Sequence, residues 1–189
     1  VFGSFSNLSK LNDTVIASWA QILKQLPDSK LLVMAKPLGE TATRTQLLER
    51  FNMAGIETEQ LLITGMASLT DYLATYAKVD VILDPFPRTG GTTTAEALWM
   101  GVPVVTLAGK TYAGRISASK LTAIGLEDLI TDDVDSYVST AVALARAPER
   151  RTLLRNSLRK RMTNSSLCNG KELSRTIENA FHHMMMSKQ

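Results

Sequence analysis

Residues 79–109, VDVILDPFPRTGGTTTAEALWMGVPVVTLAG, decide the fold of this chain. Residues 79–83 form a short, nearly all-apolar run, which is typical of a parallel strand buried on both faces. Two adjacent glycines and three threonines then open a helical pattern that ends at Gly101, and residues 102–107 form a second run of the buried-strand type. A strand, a glycine loop, a helix and a strand make a βαβ unit with a right-handed crossover. The sequence therefore predicts a parallel α/β sheet.

The start of this helix is the predicted ligand site. In a βαβ unit the helix N-terminus lies at the carboxyl edge of the sheet, where free backbone N–H groups and the positive end of the helix dipole favour anions. Three hydroxyl groups in the first turn add hydrogen-bond donors without adding charge. Residues 90–94 therefore predict binding of a phosphate-bearing ligand.

A purely structural interpretation of the same residues stands beside this one. Thr93 and Glu96 fit a capping box, with Thr93 as the N-cap and Glu96 at N3, and most such pairs do nothing more than begin a helix. Gly91 would then supply the positive φ of a tight turn. On local pattern alone the structural interpretation ranks first, although a second glycine and a third threonine exceed what a cap requires.

Composition indicates one globular domain. A length of 189 residues is enough for an α/β domain with a sizeable core, and 44% hydrophobic with 21% charged residues is ordinary. A net charge of +3 does not indicate a nucleic-acid partner, and we interpret the basic residues at 150–161 as a solvated helix face. The single cysteine, Cys168, excludes an internal disulfide and favours a reducing, cytoplasmic setting. No apolar run approaches the length of a membrane span.

Predicted strands and helices alternate along the whole chain, without a repeat or a linker. This alternation predicts a doubly wound, Rossmann-like parallel sheet of class α/β over residues 1–189, closed by three helices from about 133 to 187. The start at Val1, without an initiator Met or a signal pattern, is expected of a piece of a longer protein. Ligands of such sheets bind beyond the carboxyl ends of the strands, where the predicted loops are 4–10, 36–39, 65–68, 84–93 and 108–115.

The loops at this edge contain cations but no recognisable catalytic set. No G-x-G-x-x-G follows the first strand, so a dinucleotide-dependent dehydrogenase is not indicated. Asp84 is interpreted as the residue of an Asx-turn rather than as a ligand-binding group. His182 and His183 fall on the last helix, far in sequence from the edge loops. The basic candidates at the edge are Lys10, Arg88 and Arg115. This combination suits binding of a nucleoside diphosphate better than its hydrolysis.

Several motifs together resemble the protein O-GlcNAc transferase family. They are FSNLSKL at 5–11, VILDPFP at 81–87, GGTTT at 90–94, EALWMGVPVVT at 96–106 and RISAS at 115–119. More narrowly, the motifs resemble bacterial, SPINDLY-type members of glycosyltransferase family 41, whose catalytic region follows TPR repeats. The resemblance extends over about residues 2–185. The resemblance implies the C-terminal lobe of a two-lobed GT-B enzyme. That lobe would bind a UDP-sugar donor, UDP-GlcNAc or a related UDP-hexose, without a cofactor or metal.

The resemblance also implies roles for individual residues. Lys10 would be the catalytic residue, contacting the diphosphate and stabilising charge on the leaving group. Thr92 and Thr93 would hold the phosphates, and Glu96, an aspartate in the animal enzyme, would accept from the ribose hydroxyls. The other implied donor-binding residues are Asn7, Met66, Ala67, Tyr72, Gly90, Gly91 and Arg115.

Three positions depart from the family pattern. Tyr72 stands where the family usually has histidine, Gly91 replaces a histidine of the animal enzyme, and Thr89 replaces an asparagine. These departures concern sugar identity and turnover more than binding of the diphosphate. Two alternatives therefore stay open: a non-catalytic nucleotide-binding or scaffold module of the same fold, and a GT-B enzyme that acts on another sugar.

The resemblance also divides the function between this chain and the regions absent from it. Transfer would be inverting, onto Ser/Thr hydroxyls of a protein acceptor bound by the N-terminal lobe and TPR region, so we expect this chain alone to bind donor weakly and to turn over nothing. We expect no nucleic-acid or membrane partner. The apolar face of the last helix is expected to be exposed or covered by self-association. Its members are Leu173, Ile177, Ala180, Phe181 and Met184.

Overall fold

A computed structural model describes residues 1–66 and 68–186. Across these residues, six strands form one parallel sheet in the order β3-β2-β1-β4-β5-β6. The strands are β1 Phe2–Ser4, β2 Leu31–Met34, β3 Leu61–Thr64, β4 Val81–Leu83, β5 Val104–Leu107 and β6 Ile130–Thr131. The chain runs outward from β1 to β3, returns to β4 beside β1, and continues outward to β6. This confirms the predicted doubly wound sheet, with a reversal of strand order between β1 and β4.

Helices join and cover the strands. Their bounds are α1 Asp13–Gln25, α2 Thr41–Met53, α3 Leu69–Thr75, α4 Thr92–Trp99, α5 Tyr112–Ala123, α6 Val134–Ala145, α7 Pro148–Thr163 and α8 Gly170–Met186. The side chain of Asn12 caps α1 by accepting from the Val15 N–H. Gly55 and Gly125 follow α2 and α5 with φ of 83° and 69°, which is the left-handed conformation that ends many helices. α1 packs against α2 and α6, and α4 packs against α5 and α7.

The two central strands are shorter than the apolar runs predict. Both runs start two residues before the strand, at Val79 and Val102. Val102 is buried, but its N–H donates to Ala97 O and so completes the end of α4, with Gly101 at φ 81°. Pro103 has no N–H with which to donate to a ladder. The apolar run therefore indicated burial correctly and strand length incorrectly.

The core reaches the loop after β4 through a short chain of polar contacts. Trp19 on α1 is fully buried, and its indole N–H donates to the Tyr137 hydroxyl at 3.1 Å. Tyr137 on α6 donates in turn to the backbone O of Asp84, also at 3.1 Å, and its ring meets Phe86 edge-on at 5.3 Å. A buried Trp or Tyr needs such a partner for its polar atom. These contacts tie the end of β4 to the helical layer formed by α1 and α6.

The arginines of α7 were predicted to form only a solvated helix face, but several of them donate hydrogen bonds to the ends of other helices. Arg159 donates to Trp99 O at the end of α4, at 2.8 Å. Arg161 donates to Gly125 O beyond α5, and Arg151 donates to Leu144 O at the end of α6. The last carbonyl groups of a helix lack partners within the helix, so guanidinium groups satisfy them well. The solvated-face interpretation is incomplete, because these exposed or half-buried side chains hold the ends of three helices.

α8 lies apart from the core. None of its residues is buried, and Leu173 and Phe181 are both 60% exposed. The expected exposure of the apolar face is therefore found, and self-association stays a prediction. No helix in the described part of the chain is long and apolar enough to cross a membrane.

The contact between Arg159 and Trp99 gives a test of helix capping by α7. Arg159→Ala should lower the free energy of unfolding by about 1 kcal/mol, since it removes a hydrogen bond to a helix end and leaves a carbonyl to water. Lys160→Ala, the neighbouring exposed cation, should change it by less than about 0.5 kcal/mol. Urea unfolding followed by circular dichroism measures both. Equal losses in the two variants would show that the positive charge of α7, rather than the cap, matters.

Candidate functional site

A cleft of about 370 Å³ lies at the carboxyl edge of the sheet, beside the reversal of strand order. Ligands of doubly wound folds bind at this place. The loops after β1, β2 and β3 line it together with the first turns of α3 and α4. The implied donor-binding residues that line it are Asn7, Met66, Tyr72, Thr92, Thr93 and Glu96.

Other implied residues lie next to this cleft or elsewhere. Lys10, Gly90, Gly91 and Arg115 are described by the structure but are not lining residues. Arg115 is an exposed residue on the outer side of α5. Ala67 lies outside the described residues. The cleft therefore brings together Thr92, Thr93 and Glu96, while the implied basic residues Lys10 and Arg115 are not among its lining residues.

Lys10 faces the loop that leads into α4. It ends a 3-10 turn, Leu8–Lys10, which Asn7 begins by accepting from the Ser9 N–H at 2.9 Å. The Lys10 ammonium donates to Thr89 O at 2.8 Å, so it lies on the same edge of the sheet as Thr92. Burial lowers the pKa of Lys10, the Asp84 carboxylate opposes this shift, and Arg88 adds to it. A cation that has lost part of its water binds an anion more strongly.

Asp84 holds the glycine loop from inside the protein. It is fully buried, and its carboxylate accepts from the Gly90 N–H and from the Thr106 hydroxyl, each at 2.7 Å. Burial raises the pKa of Asp84, while its hydrogen bonds and the Lys10 ammonium lower it. The predicted Asx-turn reaches only two residues along the chain. The actual bonds cross six residues to Gly90 and reach the neighbouring strand β5.

The start of α4 differs from the predicted capping box. The helix begins at Thr92 with Gly91 as N-cap, so Thr93 is not the N-cap. Gly91 has φ −113°, which corrects the expected positive φ. Glu96 does not reach back to the cap, because its carboxylate accepts from the Tyr72 hydroxyl at 2.6 Å. A glycine has no side chain to satisfy the first N–H groups, so these donors are left for solvent or a ligand.

The three threonines of α4 divide into two kinds. Thr94 is 2% exposed, and its hydroxyl shares a 2.8 Å hydrogen bond with Ser117 on α5. Ser117 donates in turn to Gly90 O at 3.0 Å. Thr94 therefore fastens the loop to α5 and is not a phosphate-binding candidate. Thr92 and Thr93 are at least partly exposed and line the cleft.

Sequence reasoning missed two aromatic residues of the site, Phe5, which lines the cleft, and Tyr76, which lies behind Tyr72. Tyr76 is fully buried, and its hydroxyl lies 2.9 Å from that of Tyr72. Phe5 stacks on Tyr76 with ring centroids 4.2 Å apart. The i, i+4 spacing of the two tyrosines could have indicated that they share a helix face. Nothing local indicated that this face would meet Phe5 or Glu96.

No group of three or more His, Cys, Asp or Glu residues in the described part of the chain is arranged to hold a metal ion. His182 and His183 lie on the exposed α8, away from the cleft, as the sequence predicts.

Comparison with models of protein families identifies the family of this chain. The model of glycosyl transferase family 41 matches residues 1–177. The chain belongs to glycosyl transferase family 41. This confirms the resemblance seen in the sequence motifs.

The relatives of this family 41 chain are much longer proteins. Probable UDP-N-acetylglucosamine–peptide N-acetylglucosaminyltransferase SPINDLY proteins of Solanum lycopersicum and Arabidopsis thaliana are each 38% identical over 97% of the chain, which covers 20% of them. A UDP-N-acetylglucosamine–peptide N-acetylglucosaminyltransferase of Caenorhabditis elegans is 28% identical over 97% of the chain. The chain thus spans about a fifth of the length of the SPINDLY proteins.

Solved structures agree with the fold. A Thermobaculum terrenum O-GlcNAc transferase mutant is 37% identical and superposes with a TM-score of 0.91 over 97% of this chain and 35% of that one. Anabaena HepE in complex with UDP and glucose, 17% identical, matches with a TM-score of 0.65 over 94% of this chain and 48% of its own, and shows the fold alone. The family 41 chain has the fold of one lobe of a GT-B glycosyltransferase.

The two loop glycines give a matched test of the site geometry. A Cβ at Gly90 would lie 2.1 Å from the Thr94 hydroxyl and 2.9 Å from Asp84 Oδ1, whereas a Cβ at Gly91 meets nothing within 4 Å. Gly90→Ala should therefore cost about 1–3 kcal/mol of unfolding free energy, as overpacking does. Gly91→Ala should cost less than about 1 kcal/mol. Thermal unfolding of the two variants checks this, and a wild-type stability for Gly90→Ala would contradict the described loop.

Proposed function

We propose that this chain is the donor-binding lobe of a glycosyltransferase that moves a sugar from a UDP-sugar, UDP-GlcNAc or a related UDP-hexose, to Ser/Thr hydroxyls of a protein. The observation that carries the proposal is the start of α4, which has no capping side chain and opens into the cleft at the reversal of strand order. Thr92, Thr93 and Glu96 line the cleft from this one helix. The peptide N-acetylglucosaminyltransferase names of the relatives support the same substrate class.

The diphosphate is assigned to the first turn of α4 and to Lys10. The free N–H groups and the Thr92 and Thr93 hydroxyls supply neutral donors, and the helix dipole adds positive potential. An ammonium has three N–H donors, and the bond to Thr89 O uses one of them. Lys10 can therefore keep this loop contact and still donate to a phosphate oxygen. Gly91 allows the ligand to approach the backbone closely, because a Cβ there would meet only open space, whereas Gly90 makes room for Thr94 and Asp84 inside the protein.

The nucleoside is assigned to the part of the cleft nearer α3. Glu96 lies one helical turn beyond Thr92, so its carboxylate is on the phosphate-binding face of α4 and suits the ribose hydroxyls. Its Oε2 accepts from Tyr72, and Oε1 is assigned to the ribose. Met66, which is 42% exposed in the loop after β3, is assigned to the uracil through its backbone. The implied role of Ala67 stays a prediction from the sequence. Asn7 is assigned to the diphosphate side of the site, whereas Arg115, which is exposed and does not line the cleft, is given no role in it.

The proposed reaction transfers the sugar with inversion. The acceptor hydroxyl oxygen attacks the anomeric carbon, the bond from that carbon to the diphosphate oxygen breaks, and UDP leaves with the electron pair. Lys10 and the start of α4 stabilise the negative charge that grows on the diphosphate, which is electrostatic catalysis of leaving-group departure. We assign this role to these groups without a metal ion. The acceptor site and any general base are assigned to parts of the enzyme outside this chain, and a cytoplasmic location stays a prediction.

Binding of UDP by this chain tests the proposal. Isothermal titration should show UDP binding to the wild type, and Lys10→Ala should weaken it about ten-fold or more, as expected for loss of a charge-assisted hydrogen bond. Lys24→Ala, which removes an exposed lysine from α1, is the control and should bind as the wild type does. A wild type that binds no UDP at millimolar concentration would exclude the donor lobe. Equal binding by Lys10→Ala would remove only the role of Lys10.

Turnover separates an enzyme from a binding module. The isolated chain, incubated with radiolabelled UDP-GlcNAc and Ser/Thr peptides, should form no glycopeptide, because acceptor and base are assigned elsewhere. The whole protein should form it, and Lys10→Ala should lower kcat by about 100-fold, the size of effect seen when one oxyanion-stabilising donor is lost. Product from the isolated chain would contradict the division between lobes. UDP binding without transfer by the whole protein would favour the non-catalytic module.

A further inference from the structure

A chain of hydroxyl groups ends on the Glu96 carboxylate at the back of the cleft. The Tyr76 and Tyr72 hydroxyls are 2.9 Å apart, and the Tyr72 hydroxyl is 2.6 Å from Glu96 Oε2. A carboxylate only accepts, and each phenol has a single proton. Tyr72 therefore donates to Glu96, and Tyr76 donates to Tyr72. The alternative acceptor for Tyr76, Thr93 O, is 3.5 Å away and too distant to compete.

The rings that hold these hydroxyls pack against each other and against Phe5. Phe5, directly after β1, stacks on Tyr76 at 4.2 Å and meets Tyr72 edge-on at 5.6 Å. The two tyrosine rings meet edge-on at 5.5 Å. Tyr72 and Phe5 are each 7% exposed, and Tyr76 is fully buried. Buried aromatic side chains with such neighbours have little rotational freedom, so the Tyr72 hydroxyl occupies one place relative to the sheet.

Burial also keeps both phenols protonated, as their roles as hydrogen-bond donors require. It raises the pKa of Tyr72, and the hydrogen bond to Glu96 adds to the shift. It raises the pKa of Tyr76 as well. Both phenols therefore stay neutral donors over the ordinary pH range. The hydroxyl chain has a single direction, toward the cleft.

The Glu96 side chain gains from such support. It is half-buried on α4, and a glutamate side chain in this position samples several rotamers unless a partner holds it. Ordering it only when a ligand arrives would reduce affinity, whereas ordering it during folding preorganises the site. Tyr72 is itself too deeply buried to offer the ligand much surface. Its position suits action through Glu96 better than direct contact.

We propose that Tyr72 is a positioning residue that fixes the Glu96 carboxylate to accept from the ribose 2′-hydroxyl, so that the site selects ribonucleotide over deoxyribonucleotide donors. This rests on the proposed function, because it assumes that a nucleoside diphosphate occupies the cleft. A fixed carboxylate oxygen loses its donor when the 2′-hydroxyl is absent, and an acceptor that the bound nucleotide shields from water is costly to leave without a partner. A mobile carboxylate could turn toward water when the 2′-hydroxyl is absent, so the site would discriminate less between ribonucleotides and deoxyribonucleotides.

The test compares UDP with 2′-deoxy-UDP on the 189-residue chain. Wild type should bind UDP about ten-fold more tightly than 2′-deoxy-UDP, and Tyr72→Phe should reduce this preference to about two-fold by weakening UDP alone. Tyr76→Phe is the matched control, since it removes a hydroxyl from the same cluster and leaves the Tyr72–Glu96 bond in place. It should keep most of the preference. Glu96→Gln should lose it, because an amide oxygen is a weaker acceptor than a carboxylate.

The ratio of the two affinities distinguishes positioning from a general structural effect. Equal weakening of both nucleotides by Tyr72→Phe, or no change in either, would overturn the positioning role while leaving UDP binding by the lobe intact. If Tyr72→Phe fails to fold, full retention of the preference in Glu96→Gln overturns the inference independently. A wild type that binds neither nucleotide would reject the proposed function, and this inference with it.

Discussion

The buried carboxylate of Asp84 organises the edge of the sheet on which the site stands. One of its oxygens accepts from the Gly90 N–H and the other from the Thr106 hydroxyl, so a single group joins the end of β4, the glycine loop and β5. Burying a charge is costly, and these two bonds with the nearby Lys10 ammonium offset part of that cost. The loop is thereby fixed in the position that presents Thr89 O to Lys10 and places the start of α4 at the cleft.

Support for this edge comes from both helical layers. On one side Trp19 and Tyr137 connect α1 and α6 to the backbone of Asp84. On the other side Thr94 and Ser117 fasten α4 to α5. Because Thr94 holds α4 in place, the side chains of Thr92 and Thr93 on its exposed part are left to bind a ligand. A site that binds a flexible diphosphate benefits from such a rigid frame, because less conformational entropy is lost on binding.

Local signals predicted the elements well and their partners poorly. The apolar runs predicted the strands, and Asn12, Gly55 and Gly125 are residue types that mark helix ends locally, because caps depend on neighbours within a few residues. The capping box at Thr93 failed for the opposite reason. The group that takes the Glu96 carboxylate is Tyr72, 24 residues away in sequence, and no local pattern shows that α3 will pack beside α4.

The amino-acid sequence by itself determined the order of strands and helices, the parallel sheet, and the family to which the chain belongs, since these follow from periodicity, glycine placement and contiguous motifs. Only the tertiary structure decided which polar groups meet. It assigned Asp84 and Thr94 to the frame, the α7 arginines to helix ends, and the tyrosine hydroxyls to Glu96. The physical reason is that hydrogen bonds act over about 3 Å, and the distances between such groups are set by how whole elements pack.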